Sequence, residues 1–393
     1  MIPSDLSGVE DLVATAWEDA LGRGPVDRDS DYRTLRVNPN RALRIIHNIW
    51  SATSIELPIN IFFEAPTVRQ MARALCDDRR QLAAPDLVCL RSGDQNTPPL
   101  FLFPGGVGVL IELMDLAQAL DYRGAIYGIA FSGLDGVGPV YDRIEQEAAR
   151  SLAIMRRLQP NGPYRMIGYS FGGITALETA RKIRQQRGEE AFLCLLDTAQ
   201  NDHAWPLRVW LPFMLRKIAA KLKKMKYRRP AQKNPHEYSE NPQPPRGTQL
   251  EFRFRNPNHP NYPYYHPYWR GNYPPFYGQV AQNACRMRGR YMPSRYDGKA
   301  FFFASAGGDS LVCDPLRVWP KYLPNAEWTR VPGNHLSMIL GRNAVFLAAE
   351  ISRRLDQTLT AAPDSAPTET AHTRRFEQYP HPIGGLESAF DAP

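Results

Sequence analysis

Gly168-Tyr169-Ser170-Phe171-Gly172, followed by Gly173, stands directly after an apolar run and before a helical one, and it constrains this chain more than any other feature. A strand that becomes a helix in so few residues brings the positions two before and two after the serine together. Glycine is demanded there, and the serine hydroxyl is held exposed above the edge of a sheet. The following helix starts beside the serine, so the Phe171 N–H and the helix N-terminus face any negative charge that develops at this corner. Such a serine is a candidate nucleophile.

The surrounding pattern supplies the sheet. From about residue 87, short apolar runs alternate with helical stretches, which predicts an α/β domain with a mostly parallel sheet and helices on both faces. Strands are expected at Pro99–Phe103, Ala125–Ala130, Tyr164–Tyr169, Ala191–Leu196, Lys299–Ala304 and Ala326–Val331, with helices at 141–158 and 172–186 among the connections. The alternation stops after Asp197 and resumes near Lys299, so residues 198–298 form an insertion between consecutive strands. Insertions of that length are usually functional.

A serine hydroxyl attacks poorly unless a base takes its proton and a carboxylate orients that base. Of the eight histidines, His335 in Pro332-Gly333-Asn334-His335-Leu336 is the one placed just after a late strand of this domain. Asp197 ends the strand Leu195-Leu196 and so lies at the same sheet edge as Ser170; Asp309, in Gly307-Gly308-Asp309, competes with it. Either gives the order serine, acid, histidine. The second oxyanion donor, beside Phe171, is expected from Phe103-Pro104-Gly105-Gly106-Val107-Gly108, with Gly106 the choice.

Ahead of this domain, residues 1–80 read as a small helical bundle. Ser7 and Glu10 have capping-box spacing, and Val9, Leu12, Val13, Ala16, Trp17, Ala20 and Leu21 recur at helical spacing. A second helix starts at Pro39 or Asn40, and a third runs from Pro66-Thr67 to about Leu75. Residues 81–98 are expected to be a linker, 99–356 the α/β domain, and 357–393 a polar, proline-interrupted tail with too few apolar residues to order itself.

The 393 residues are 43% apolar and 22% charged, enough for a substantial core. Neither a signal-peptide core at the start nor an apolar run of membrane-spanning length is present, and a cytoplasmic protein is expected. Cys76, Cys89, Cys194, Cys285 and Cys313 are scattered, without C-x-x-C spacing. They are read as small buried core residues and not as disulfide partners or metal ligands; no metal is expected. The net charge of +8 has one address: Arg208, Arg216, Lys217, Lys221, Lys223, Lys224, Lys226, Arg228, Arg229 and Lys233 lie in a stretch without an acid. Three readings compete for 208–233: an ordinary solvated helix, a dock for an acidic protein, and a helix lying on a membrane surface. The run lacks a recognisable nucleic-acid module, which argues against that partner.

With these residues assembled, 99–350 resembles the type I thioesterase domains that end nonribosomal peptide and polyketide synthetases, members of the α/β-hydrolase fold. The resemblance rests on Phe103–Gly108, on Ile126-Tyr127-Gly128-Ile129 leading to Gly133-Leu134-Asp135-Gly136, on the serine corner, on Leu196-Asp197 and on Gly333-Asn334-His335. It implies an acyl transfer from a phosphopantetheine thioester to Ser170, then release to water or an internal nucleophile. It also favours Asp197 over Asp309 and makes 198–298 the lid; two readings compete for its aromatic stretch Asn256–Gly278, a packed irregular loop and the lining of an acyl channel.

Residues 5–76 resemble the acyl or peptidyl carrier domain that precedes such a thioesterase, through Val9-Glu10-Asp11-Leu12, Asp31-Tyr32, Arg41-Ala42-Leu43-Arg44 and Phe62-Phe63-Glu64-Ala65-Pro66-Thr67-Val68. The family's L-G-G-D-S-L becomes Leu35-Arg36-Val37-Asn38-Pro39-Asn40, with Pro39 where the serine carries phosphopantetheine. Proline has no hydroxyl. The expectation is a carrier fold without a covalently bound cofactor, and a thioesterase acting in trans on the phosphopantetheine thioester of another carrier protein or synthase. A carboxylic esterase that uses no carrier, and a catalytically silent scaffold, are the competing readings.

Overall fold

Apolar residues that alternate along four neighbouring strands divide the second domain into two buried faces. Leu100, Leu102, Ile167, Cys194, Leu196, Phe301 and Phe303 belong to one core cluster. Their neighbours Phe101, Phe103, Met166, Leu193, Leu195 and Phe302 belong to another. This period of two, with both sets buried, is what a sheet covered on both faces requires. The structure, a computed structural model, describes residues 5–76, 86–106, 108–134, 140–187, 191–198, 204–226, 275–306 and 314–360.

The sheet has seven strands: β1 (Leu87–Arg91), β2 (Leu100–Phe103), β3 (Ile126–Ile129), β4 (Arg165–Tyr169), β5 (Phe192–Leu196), β6 (Ala300–Ser305) and β7 (Ala326–Val331). Their order is β1-β3-β2-β4-β5-β6-β7. All neighbours are parallel except β1, which runs antiparallel to β3 at one edge. Each expected strand has a counterpart. β1 corrects the expected linker over 81–98: Leu87–Arg91 is a strand of the sheet, with Val88 and Leu90 buried in the domain core.

The helices, in chain order, are α1 (Leu6–Leu21), α2 (Pro39–Thr53), α3 (Ile61–Glu64), α4 (Val68–Cys76), α5 (Met114–Ala119), α6 (Ile144–Leu158), α7 (Phe171–Arg187), α8 (Leu207–Lys226), α9 (Pro275–Arg290) and α10 (Gly341–Thr360). α5 and α10 put Leu116, Leu347, Ile351 and Leu355 into one core, while α6 and α7 put Met155, Leu177, Ala180 and Ile183 into the other. α10 runs past residue 356, where the tail was expected to begin.

The N-terminal bundle packs α1, α2, α3 and α4 around Trp17, Phe62, Ile45 and Val13. Arg69 on α4 pairs with Asp29 at 2.7 Å and Glu10 at 3.1 Å, fastening the long loop and α1 to it. The first cap is not Ser7, which lies inside α1; Asp5 accepts from the Gly8 N–H. Bundle and α/β domain share apolar contacts, since Val109 and Ile111, just past the glycine-rich loop, belong to the bundle's core cluster. The cysteine reading is corrected too. Of the four described, only Cys194 is buried; Cys76 ends α4 and Cys89 points outward from β1, both exposed.

Candidate active site

Strand register brings the chemistry together. Tyr169 at the end of β4 pairs with Leu196 at the end of β5, and Leu196 with Phe303 on β6. Ser305, the last residue of β6, pairs with Val331, the last of β7. The residues that follow these ends, Ser170, Asp197 and the loop carrying His335, therefore emerge on one edge of the sheet.

Ser170 occupies the left-handed backbone region at φ +54°, a strained conformation for a side-chain-bearing residue, and its N–H is held by the Leu196 carbonyl at 2.8 Å. Two glycines make the corner feasible. A Cβ on Gly168 would sit 2.5 Å from the Gly173 Cα, and one on Gly172 would sit 2.3 Å from the Pro104 carbonyl oxygen. The second contact seats the glycine-rich loop against the start of α7.

His335 is 3% exposed and Asp197 is fully buried. The His335 Nδ1 lies 2.8 Å from Asp197 Oδ2, and its Nε2 lies 3.0 Å from Ser170 Oγ. A carboxylate can only accept, so the ring proton belongs on Nδ1 and Nε2 is left to accept from the serine hydroxyl. Asp197 also accepts from the Ser305 N–H at 3.1 Å and the Ser305 hydroxyl at 2.9 Å. Its carboxylate thus has three donors in a site closed to water. The imidazole is held from its other side: the Tyr169 ring stacks on it at 5.2 Å, and the Tyr169 hydroxyl donates to the His335 carbonyl at 2.6 Å. Asn334 Oδ1 accepts from the N–H groups of Leu336 and Ser337, at 3.1 and 2.9 Å, and fixes the turn that returns the histidine over the sheet.

The structure therefore brings Ser170, His335 and Asp197 into one hydrogen-bonded chain. Asp309 lies outside the described residues, as do residues 256–274 of the aromatic stretch. In the glycine-rich loop, the Gly105 N–H donates to the buried Glu112 carboxylate at 2.6 Å, and the Gly108 N–H closes a turn onto the Gly105 carbonyl at 2.9 Å. Gly106 sits inside that turn, and Phe171 is the first residue of α7. The supporting roles of Ser305, Tyr169 and Glu112 rest on contacts between distant segments. Ser305 had one available signal, a hydroxyl closing an apolar strand next to the strand that ends at Asp197. Among the described residues no group of three or more His, Cys, Asp or Glu could hold a metal ion.

Geometry of this kind suits acyl transfer: a hydroxyl, a base that accepts its proton, and a buried anion that stabilises the cation formed on the base. Comparisons with known proteins agree on the class. Residues 98–227 match the family described as thioesterase domain, and residues 11–75 match the family described as phosphopantetheine attachment site. The chain is 29% identical over 202 residues to malpibaldin synthetase of Mortierella alpina, covering 50% of this chain and 4% of that protein. It is 31% identical over 196 residues to vanchrobactin synthetase VabF of Vibrio anguillarum, covering 49% of this chain and 7% of that protein. The chain thus spans only a small part of the curated relatives it matches. Among solved structures, a four-domain nonribosomal peptide synthetase bound to AMP and glycine is similar in fold over 90% of this chain and 26% of that one, at 20% identity and a TM-score of 0.51.

The attachment-site family implies a covalent phosphopantetheine, and the residues present do not fit it. α2 starts at Pro39, which is buried, with Asn38 as its cap, accepting from the Arg41 N–H at 2.9 Å. The nearest serine or threonine hydroxyls along the chain on either side are Thr34, which donates to the Asp31 carbonyl at 2.7 Å, and Ser51, near the far end of α2. Neither stands at the helix start. By fold and by match, then, a helical domain similar over residues 11–75 to the phosphopantetheine attachment-site family precedes an α/β domain similar over residues 98–227 to the thioesterase domain family, and the serine relay stands in the second.

Proposed function

We propose that this protein releases an acyl or peptidyl chain from a carrier-bound phosphopantetheine thioester, in trans, by hydrolysis or cyclisation within nonribosomal peptide or polyketide biosynthesis. The observation that carries the reading is the relay Ser170–His335–Asp197, with contacts of 3.0 and 2.8 Å. Ser170 Oγ attacks the thioester carbonyl as His335 Nε2 takes its proton. Asp197 stabilises the imidazolium, and the N–H groups of Gly106 and Phe171 receive the negative oxygen. Collapse of the tetrahedral adduct breaks the C–S bond; the imidazolium protonates the departing thiolate, leaving an acyl-serine. Water, or an amine or hydroxyl of the chain itself, then repeats the sequence on that ester.

The in-trans part rests on Pro39. A bundle without an attachment hydroxyl at the start of α2 cannot present the thioester itself, so the substrate arrives on the phosphopantetheine of a separate carrier, and residues 1–80 keep the carrier fold without its function. In domain terms, 1–80 is the carrier-like bundle, 87–360 the catalytic domain, from β1 to α10, and 198–298 its lid.

Two measurements test this. A separate acyl carrier protein loaded with an acyl-phosphopantetheine is expected to lose its acyl group to the wild-type protein and to keep it with Ser170→Ala; equal turnover by both would overturn the reading. Incubation with coenzyme A and a phosphopantetheinyl transferase is expected to leave the mass of this chain unchanged. A phosphopantetheine found on residues 5–76 would overturn the in-trans part while leaving the hydrolase standing.

A further inference from the structure

α8 leaves the domain edge with an apolar stripe that nothing among the described residues covers. Leu207, Leu211, Leu215, Ile218 and Leu222 are each between 51% and 79% exposed, half of the exposed large hydrophobic residues among those described. At about 100° per residue these positions fall within a sector of roughly 80°. The opposite side of the first half is anchored: Val209 is buried, and Phe213 packs on Trp205 at 4.9 Å. The stripe therefore faces outward because the helix is held from behind.

Charge completes the pattern. Between Leu207 and Lys226 stand Arg208, Arg216, Lys217, Lys221, Lys223, Lys224 and Lys226, and no acid. The stripe is about 23 Å long by helical rise.

We propose that α8 is an in-plane dock for an anionic lipid surface, holding the active-site edge of the domain close to a membrane. An acidic protein would also meet the charge, but the composition favours lipid. Protein interfaces are rich in aromatic residues and arginine and depleted in lysine, with leucine under-represented among their energetic centres. Here the exposed stripe is leucine and isoleucine, and five of the seven cations are lysine. Headgroups reward each cation near the surface, while the acyl boundary takes up an aliphatic stripe without needing a matching groove. No helix among the described residues is long and apolar enough to cross a membrane, so the contact is with the surface.

The test is cosedimentation of the full chain with vesicles of phosphatidylcholine alone and of phosphatidylcholine with one-third phosphatidylglycerol. Binding to the anionic vesicles is expected to be at least about 100-fold tighter and to weaken as salt rises. The triple variant Leu211→Gln, Leu215→Gln, Leu222→Gln keeps every charge and good helix formers. It is expected to lose at least about tenfold in vesicle binding while keeping the wild-type far-ultraviolet circular dichroism and urea midpoint. Absence of vesicle binding, equal binding to both compositions, or unchanged binding of the triple variant would each overturn the proposal. So would displacement from vesicles by an equimolar soluble acidic carrier protein, which would make a protein the partner.

Discussion

Replacing Ser305 by alanine removes one of the three donors that hold the Asp197 carboxylate. Asp197 is fully buried and Ser305 is 4% exposed, so water cannot take the place of the hydroxyl bonded at 2.9 Å. A hydrogen bond to a charged group contributes about 1.5–3 kcal/mol, and that is the loss of folding stability expected in urea titration. The same bond fixes Oδ2, the atom that also receives His335 Nδ1. A carboxylate free to rotate stabilises the imidazolium that forms in the transition state less than one held in place does. If most of the lost interaction is felt there, kcat falls about 10–100-fold, at 1.36 kcal/mol per tenfold, with KM little changed. Ser305→Thr, which keeps a hydroxyl, is expected to restore much of the rate. Wild-type turnover and an unchanged urea midpoint in Ser305→Ala would refute the reasoning.

Other perturbations probe other parts of the account. Glu112→Ala leaves the Gly105 N–H without its acceptor and loosens the glycine-rich loop; about a tenfold loss in kcat on a soluble thioester is expected, with Glu112→Gln near wild type. Arg36 is left-handed at φ +53°, so Arg36→Gly is expected to raise stability by about 0.5–1 kcal/mol in thermal unfolding. Burial raises the pKa of the Glu147 carboxyl, with the charge of Arg150 opposing. The folded form then holds this proton more tightly than the unfolded chain, so ionisation subtracts stability as pH rises from the unfolded value of about 4.3 through the higher folded one. Glu147→Gln, neutral throughout, is expected to gain stability relative to wild type across that window, and a difference that stays flat with pH would count against it.

Much of this was readable in advance because it depends on local pattern. The β4-to-α7 corner announces itself by Gly168 and Gly172, whose missing side chains leave room for backbone. Asp197 and His335 each follow an apolar strand, and the sheet edge is where strand ends converge. What was missed depends on contacts between distant segments. Ser305 matters because β6 lies beside β5 across about a hundred intervening residues, and register is not written in either strand alone. β1 is an edge strand of five residues, Leu87–Arg91, and so short an apolar run beside polar sequence does not separate a strand from the linker next to it. Asp5 displaced Ser7 as a cap because helix starts are set by backbone geometry within a residue or two, where several side chains compete.

Covalent labelling with a fluorophosphonate tests the relay most directly, because the probe needs an activated serine and no knowledge of the acyl substrate. One label per chain, on the peptide containing Ser170, is expected, with the labelling rate reduced about 10²–10⁴-fold in His335→Ala. A folded protein that stays unlabelled, a label on another residue, or a His335→Ala variant that reacts as fast as wild type would contradict the account.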